Sequence, residues 1–272
     1  MPSSQPSVAE LRAVCQPPEL VGRRSAEHWA GRLYMRRLSP YATRLALRLP
    51  VTPNGWTVLM IAVGVAGAAI LAVPGLGTAV LAAVAVQLYL LLDCVDGEVA
   101  RWRRATSAAG VYLDRLGHYT VEAALLIALG VRVDGGYGSL RGATMLGLLA
   151  AVLALLSKVE SDLVVVARTS AGLPATVEAA DEAERAAPRH AALRDVRRVF
   201  AVVPIHRLIG GIELSLLAVV AAVVDTATDT NVGSSALLIA AVAVGAIVAL
   251  GHPVSVLNSR RLSGPASGGL DQ

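Results

Sequence analysis

Six long apolar runs set the pattern of the chain, at about 56–74, 77–95, 110–131, 142–163, 206–224 and 233–251. Each is close to the ~20 residues that cross ~30 Å of hydrocarbon as a helix. The pattern therefore predicts an all-α, polytopic membrane protein with six transmembrane helices. Pro74-Gly75, the run Asp134-Gly135-Gly136-Tyr137-Gly138 and the stretch from Asp225 to Asn231 supply three turns on one side. Ahead of the first run, Trp29, Leu33, Leu38, Tyr41, Leu45 and Leu49 recur at helical spacing among Arg32, Arg36, Arg37, Arg44 and Arg48. That predicts an interfacial amphipathic helix within 21–52, interrupted near Pro40. Residues 1–20, rich in Ser, Pro and Gln, are expected to be disordered, 53–255 to form one transmembrane domain, and 256–272 a flexible tail. The polar stretch 175–198 reads as a connector with an amphipathic helix near 191–200. The polar N-terminus predicts no cleaved signal peptide.

Composition agrees with membrane residence. The chain is 55% hydrophobic and 16% charged, with a mean hydropathy of +0.60, where soluble domains carry about 25% charged residues. The net charge is +4, carried almost wholly by arginine, since Lys158 is the single lysine. Loops facing an anionic leaflet explain this balance better than nucleic acid does. Of 24 Lys and Arg, only Arg132 and Arg141 fall in the three turns named above. The positive-inside rule then places both termini in the cytosol of a multi-pass cell-membrane protein. Cys15 and Cys94 imply no disulfide framework.

One stretch breaks the apolar pattern. Asp93 to Glu122 carries three aspartates, two glutamates, His118 and four arginines between two spans. Ionisable groups beside spans are costly and mark function by default. Asp93 lies 16 residues from Gly77, and Asp114 lies 17 from Val131, about 24 and 26 Å along antiparallel helices. Both aspartates thus reach one depth. Asp93 and Asp96 share a helix face, as do Asp114, His118 and Glu122. Carboxylates gathered at one depth repel unless a cation joins them, and a hard divalent ion with oxygen ligands is the natural partner. Gly97, Ala100 and Gly110 suit close backbone approach by a ligand or by another helix.

Read as a spaced set, Asp93, Asp96, Gly97, Ala100, Arg101, Gly110 and Asp114 resemble the signature of the CDP-alcohol phosphotransferase family. The resemblance implies six transmembrane helices, a cytosol-facing cavity with two divalent cations, Mg²⁺ or Mn²⁺, and a homodimer. Asp93, Asp96 and Asp114 match the metal-binding aspartates. Gly97, Ala100, Arg101 and Gly110 match residues that hold the CDP portion, and Ser107 matches a hydroxyl position near the cytidine. Asn54 and Thr57 fit a Pro-Asn-x-x-Thr pattern at the start of the first span. The implied reaction moves a substituted phosphoryl group from a CDP-alcohol, CDP-diacylglycerol above all, to an acceptor hydroxyl with release of CMP, in phospholipid synthesis.

The chain departs from the family at His118, where a fourth aspartate is usual. A neutral imidazole can still accept a proton or bind a metal near neutral pH, so His118 is expected to replace that aspartate as base or ligand. Asp114 stands beside it as a catalytic candidate. Glu122 is expected to orient the ring or to supply the missing carboxylate. Lys158, Arg168 and Arg207 are expected to converge on a phosphate or anionic head group of the acceptor. Two other classes remain: a catalytically silent member kept as a membrane scaffold, and a transporter. The transporter is disfavoured because the charges gather at the cytoplasmic ends of the spans rather than at their middles.

Overall fold

The computed structural model describes residues 6–17, 30–175, 210–259 and 261–262. Trp29, Arg207, the expected connector helix near 191–200 and most of the tail lie outside them. Helix α1 is Val8–Cys15; a π-helical turn, Gly31–Met35, leads into α2, Arg36–Ala46. Six helices long and apolar enough to cross a membrane follow: α3 Pro53–Leu71, α4 Leu76–Trp102, α5 Ala108–Val133, α6 Gly142–Ser170, α7 Gly211–Thr228 and α8 Val232–Leu257. No strand occurs among the described residues. The all-helical, six-span expectation holds. Two spans run well past their apolar runs on the side that carries the signature. These are α4, which continues through Asp93 to Trp102, and α6, which continues to Ser170.

Helix α3 packs against α4 and α5, α5 against α6, α6 against α8, and α7 against both α4 and α8. The shared core is aliphatic: Met60 and Leu71 from α3, Val86, Val95 and Val99 from α4, Leu125, Leu126 and Leu129 from α5, Leu214 and Leu238 beyond. Small residues set how close the helices come. A Cβ on Gly130 of α5 would stand 2.4 Å from the Ala143 carbonyl oxygen of α6, a distance no side chain tolerates. Gly64 faces Val121 and Tyr89, and Gly67 faces Ala85. Both glycines therefore serve close packing within the chain.

Two turns are built by one device. Asp134, at the end of α5, accepts from the backbone amides of Arg141 (2.6 Å) and Thr144 (2.8 Å) at the start of α6. Asp225, in the last turn of α7, accepts from Gly233 (2.7 Å) and from the Ser234 hydroxyl (2.5 Å) at the start of α8. Each aspartate satisfies orphan amides and meets the positive end of the next helix dipole.

The N-terminus corrects two expectations. Residues 8–15 form a helix where composition predicts disorder. Ser7 and Glu10 make a reciprocal capping box, and Leu11 and Cys15 are buried. Helix α2 is also unbroken at Pro40. Proline lacks the amide that would bond the carbonyl four residues back, and that carbonyl, of Arg36, instead accepts from Nε2 of Gln16 at 2.9 Å. The outward face of α2 and its flanks is apolar, with Leu33, Leu38, Tyr41, Leu45 and Leu49 exposed. Its inward face is polar: Ser39 and Thr43 are fully buried.

Candidate active site

The start of α3, the end of α4 and the start of α5 meet at one end of the bundle, and the signature residues line that end. Asp93 of α4 and Asp114 of α5 converge on His118 of α5. The His118 Nε2 lies 3.1 Å from Asp93 Oδ1 and 3.5 Å from Asp114 Oδ1. One ligand atom from each of the three lies within 4.8 Å of the others, and all three side chains are half-buried. The antiparallel depth match thus brings the two halves of the signature together.

The other imidazole nitrogen has a partner that spacing alone does not suggest. Tyr89 Oη sits 2.5 Å from His118 Nδ1, edge-on to the ring at an interplanar angle of 84°. Tyr89 is buried one turn before Asp93. A hydroxyl both donates and accepts, so it can serve either tautomer of the ring while fixing which edge faces the carboxylates.

Asp96 is not among these three ligands. Its Oδ2 accepts from the Thr57 hydroxyl at 2.6 Å, and both residues are buried. Asn54, one turn earlier on α3, lies so near Gly110 that a Cβ there would be 3.3 Å from Asn54 Oδ1. The Ser107 hydroxyl accepts from the Gly110 amide at 3.1 Å and caps α5. Gly97 makes room for Arg101: a Cβ on Gly97 would stand 3.1 Å from Arg101 Nη1. Ala100 takes part through its backbone, its carbonyl accepting from Ala105 at 2.8 Å as α4 ends.

Three expected site residues point elsewhere. Glu122 does not orient His118; it pairs with Lys158 of α6 at 3.0 Å. Lys158 also lies over the Tyr119 ring, 5.3 Å from its centroid. Arg168 is only 4% exposed and donates to the carbonyls of Pro174 and Arg261. Asp162, near the same helix end, is bonded by Arg115 and Tyr119. Lys158 and Arg168 are thus held by the protein's own groups, and Arg207, the third of the set, lies outside the described residues.

Glu98, one residue after Gly97, looks like a solvated charge in sequence. It is 0% exposed. Ser39 Oγ (2.6 Å) and Gln16 Nε2 (2.8 Å) donate to its Oε1, and Thr43 Oγ1 (2.6 Å) to its Oε2. The Cys15 thiol donates to the Glu98 carbonyl at 3.3 Å. Burial and the Glu98 charge push that thiol up from its ordinary pKa, against the opposing Arg101 charge. It therefore stays a neutral donor. The sequence did hold a signal for this dock: the capping-box pair Ser7 and Glu10, followed by Pro17 as a stop.

Chemically, two carboxylates and an imidazole form a donor set that suits a divalent cation and leaves coordination positions for substrate oxygens. Comparison with known families agrees. A family model described as CDP-alcohol phosphatidyltransferase matches residues 50–257. No curated protein matches the chain.

Proposed function

The chain belongs to the CDP-alcohol phosphatidyltransferase family, whose members are transferases of substituted phosphate groups, and on that premise we propose a specific reaction. The protein moves the phosphatidyl group of CDP-diacylglycerol to the hydroxyl of a small acceptor and releases CMP. The observation that carries this reading is the meeting of Asp93, Asp114 and His118, drawn from two helices onto one point.

In the step itself, the acceptor oxygen forms a bond to the phosphorus that bears the lipid. The bridging P–O bond to the cytidylate breaks, its electron pair leaves with CMP, and the acceptor proton passes to His118. With Nδ1 protonated and donating to Tyr89, Nε2 presents its lone pair to that proton. The family is generally dependent on divalent cations. Asp93, Asp114 and Asp96 would hold two of them, Mg²⁺ or Mn²⁺, which leaves the His118 Nε2 lone pair for the acceptor proton. Bound there, the cations would clamp the diphosphate and stabilise charge on the leaving CMP. Gly97, Ala100, Arg101, Ser107, Gly110, Asn54 and Thr57 form the wall for the CDP portion. The protein contributes positioning and electrostatics rather than a covalent nucleophile. The reading places both termini and the site on the cytoplasmic side of the cell membrane. It includes a second copy of the chain as partner on the family resemblance alone.

The test is CMP release by the purified protein with CDP-diacylglycerol, Mg²⁺ or Mn²⁺ and a panel of hydroxyl acceptors. Turnover is expected with at least one acceptor, and loss on chelation. His118→Ala should reduce it roughly 10²–10⁴-fold, the usual contribution of a general base. If no acceptor yields CMP above the level of Asp114→Ala, the protein is a silent scaffold instead.

A further inference from the structure

The N-terminal helix lies outside the family-matched residues, which begin at residue 50, yet it touches the candidate site directly. Arg101 Nε donates to the Cys15 carbonyl at 2.8 Å. Cys15 is the last residue of α1. Its carbonyl therefore belongs to the unsatisfied, negative end of a helix, where a guanidinium is favoured. The bond ties down one edge of the Arg101 fork. The terminal nitrogens Nη1 and Nη2 are left lying across Gly97, one residue from Asp96.

A second group of contacts keeps α1 in place. Gln16 donates to the Arg36 carbonyl (2.9 Å), to Ser39 Oγ (3.2 Å) and to Glu98 Oε1. Glu98 is buried on the same turn of α4 as Arg101, and its carboxylate is the hub for residues of α2 and for Gln16. Leu11 is buried as well. An arginine that is to bind a diphosphate gains from being anchored beforehand, because its long side chain otherwise loses rotamer freedom on binding. Gripping Nε achieves this without taking up the Nη end of the fork.

We propose that α1, through the Cys15 carbonyl and the Gln16 side chain, is a positioning element that sets Arg101 for the diphosphate of the CDP substrate. The inference rests on the reading of Arg101 as a residue that holds the CDP portion. It adds to that reading a device supplied by this chain's own N-terminus.

The test is a double-mutant cycle read by calorimetric binding of CDP to the full-length protein with Mg²⁺. Leu11→Asp undocks α1 without altering the signature. It should weaken CDP binding roughly tenfold, the scale of one hydrogen bond to a charged group. Arg101→Ala should weaken binding by at least as much, and Leu11→Asp should add nothing further in that background. Gln16→Ala gives the same cycle with a smaller perturbation, should Leu11→Asp fail to fold. A purely structural role for α1 would lower Tm and leave the CDP Kd unchanged, which overturns the inference. Full additivity of the two substitutions also overturns it. If Arg101→Ala leaves the Kd unchanged, the underlying reading of Arg101 falls, and the inference with it.

Discussion

His118 is held at both ring nitrogens, by Tyr89 on one side and by Asp93 and Asp114 on the other. An aspartate at this position would need no such holder; an imidazole with two inequivalent nitrogens does. Tyr89→Phe keeps the edge-on packing and removes the hydroxyl. Turnover measured by CMP release should fall roughly 10–100-fold, as for loss of a ligand's outer partner, with KM for the CDP-lipid little changed. Unchanged kcat would show that the ring needs no second anchor. The cluster itself was legible because its members recur at helical spacing within 30 residues of one another. Tyr89 was not, since a tyrosine four residues before Asp93 looks like one more apolar position. The role of Glu98 is hidden from local sequence for a related reason. Its hydrogen-bond partners lie between 55 and 82 residues away, and nothing local shows that they fold back onto it.

Among the elements, the spans were legible and their ends were not. Hydropathy shows where hydrocarbon begins, but α4 and α6 continue as helices beyond it, where the chain is polar. Caps decide the other ends. Partial burial works to raise the Asp134 carboxyl, but the Thr144 hydroxyl and the amides of Thr144, Arg141 and Ala143 outweigh it and hold its pKa below the ordinary value. A lowered value in the folded state means that the ionised cap stabilises α6 at neutral pH. That contribution is lost as the pH falls through the lowered value. Asp134→Ala should therefore lower the stability of the detergent-solubilised protein by about 1 kcal/mol at pH 7, read as a drop in Tm. The gap to the parent protein should close as the medium is acidified below the ordinary carboxylate range. A gap that persists there would mean that shape, not charge, does the capping. Pro40 is a parallel case: its local signal is a break, while Gln16, just past α1, bonds the carbonyl that the proline leaves open.

For the whole molecule, the charge asymmetry is sharper than a count of residues implies. Arg132 is 5% exposed and donates to the carbonyls of Val73 and Gly75, 2.8 Å each. It is a buried strut between turns rather than a surface charge, so Arg141 is left to face solvent on that side. If the site faces the cytosol as proposed, Gly138→Cys on a cysteine-free background should react with an impermeant maleimide on intact cells. Ala171→Cys should react only after lysis, and the reverse labelling pattern would refute the orientation. The contact of Cys15 with Glu98 and Arg101 has a consequence for how the protein is made. Two spans, α3 and α4, separate the partners in sequence, so the chain crosses the bilayer out and back before they can meet. A nascent chain with one crossing missed or inverted would strand the N-terminal segment on the far side, and the dock would stay open. Closure of that dock thus requires the end of α4 to lie on the same side of the bilayer as the N-terminal segment.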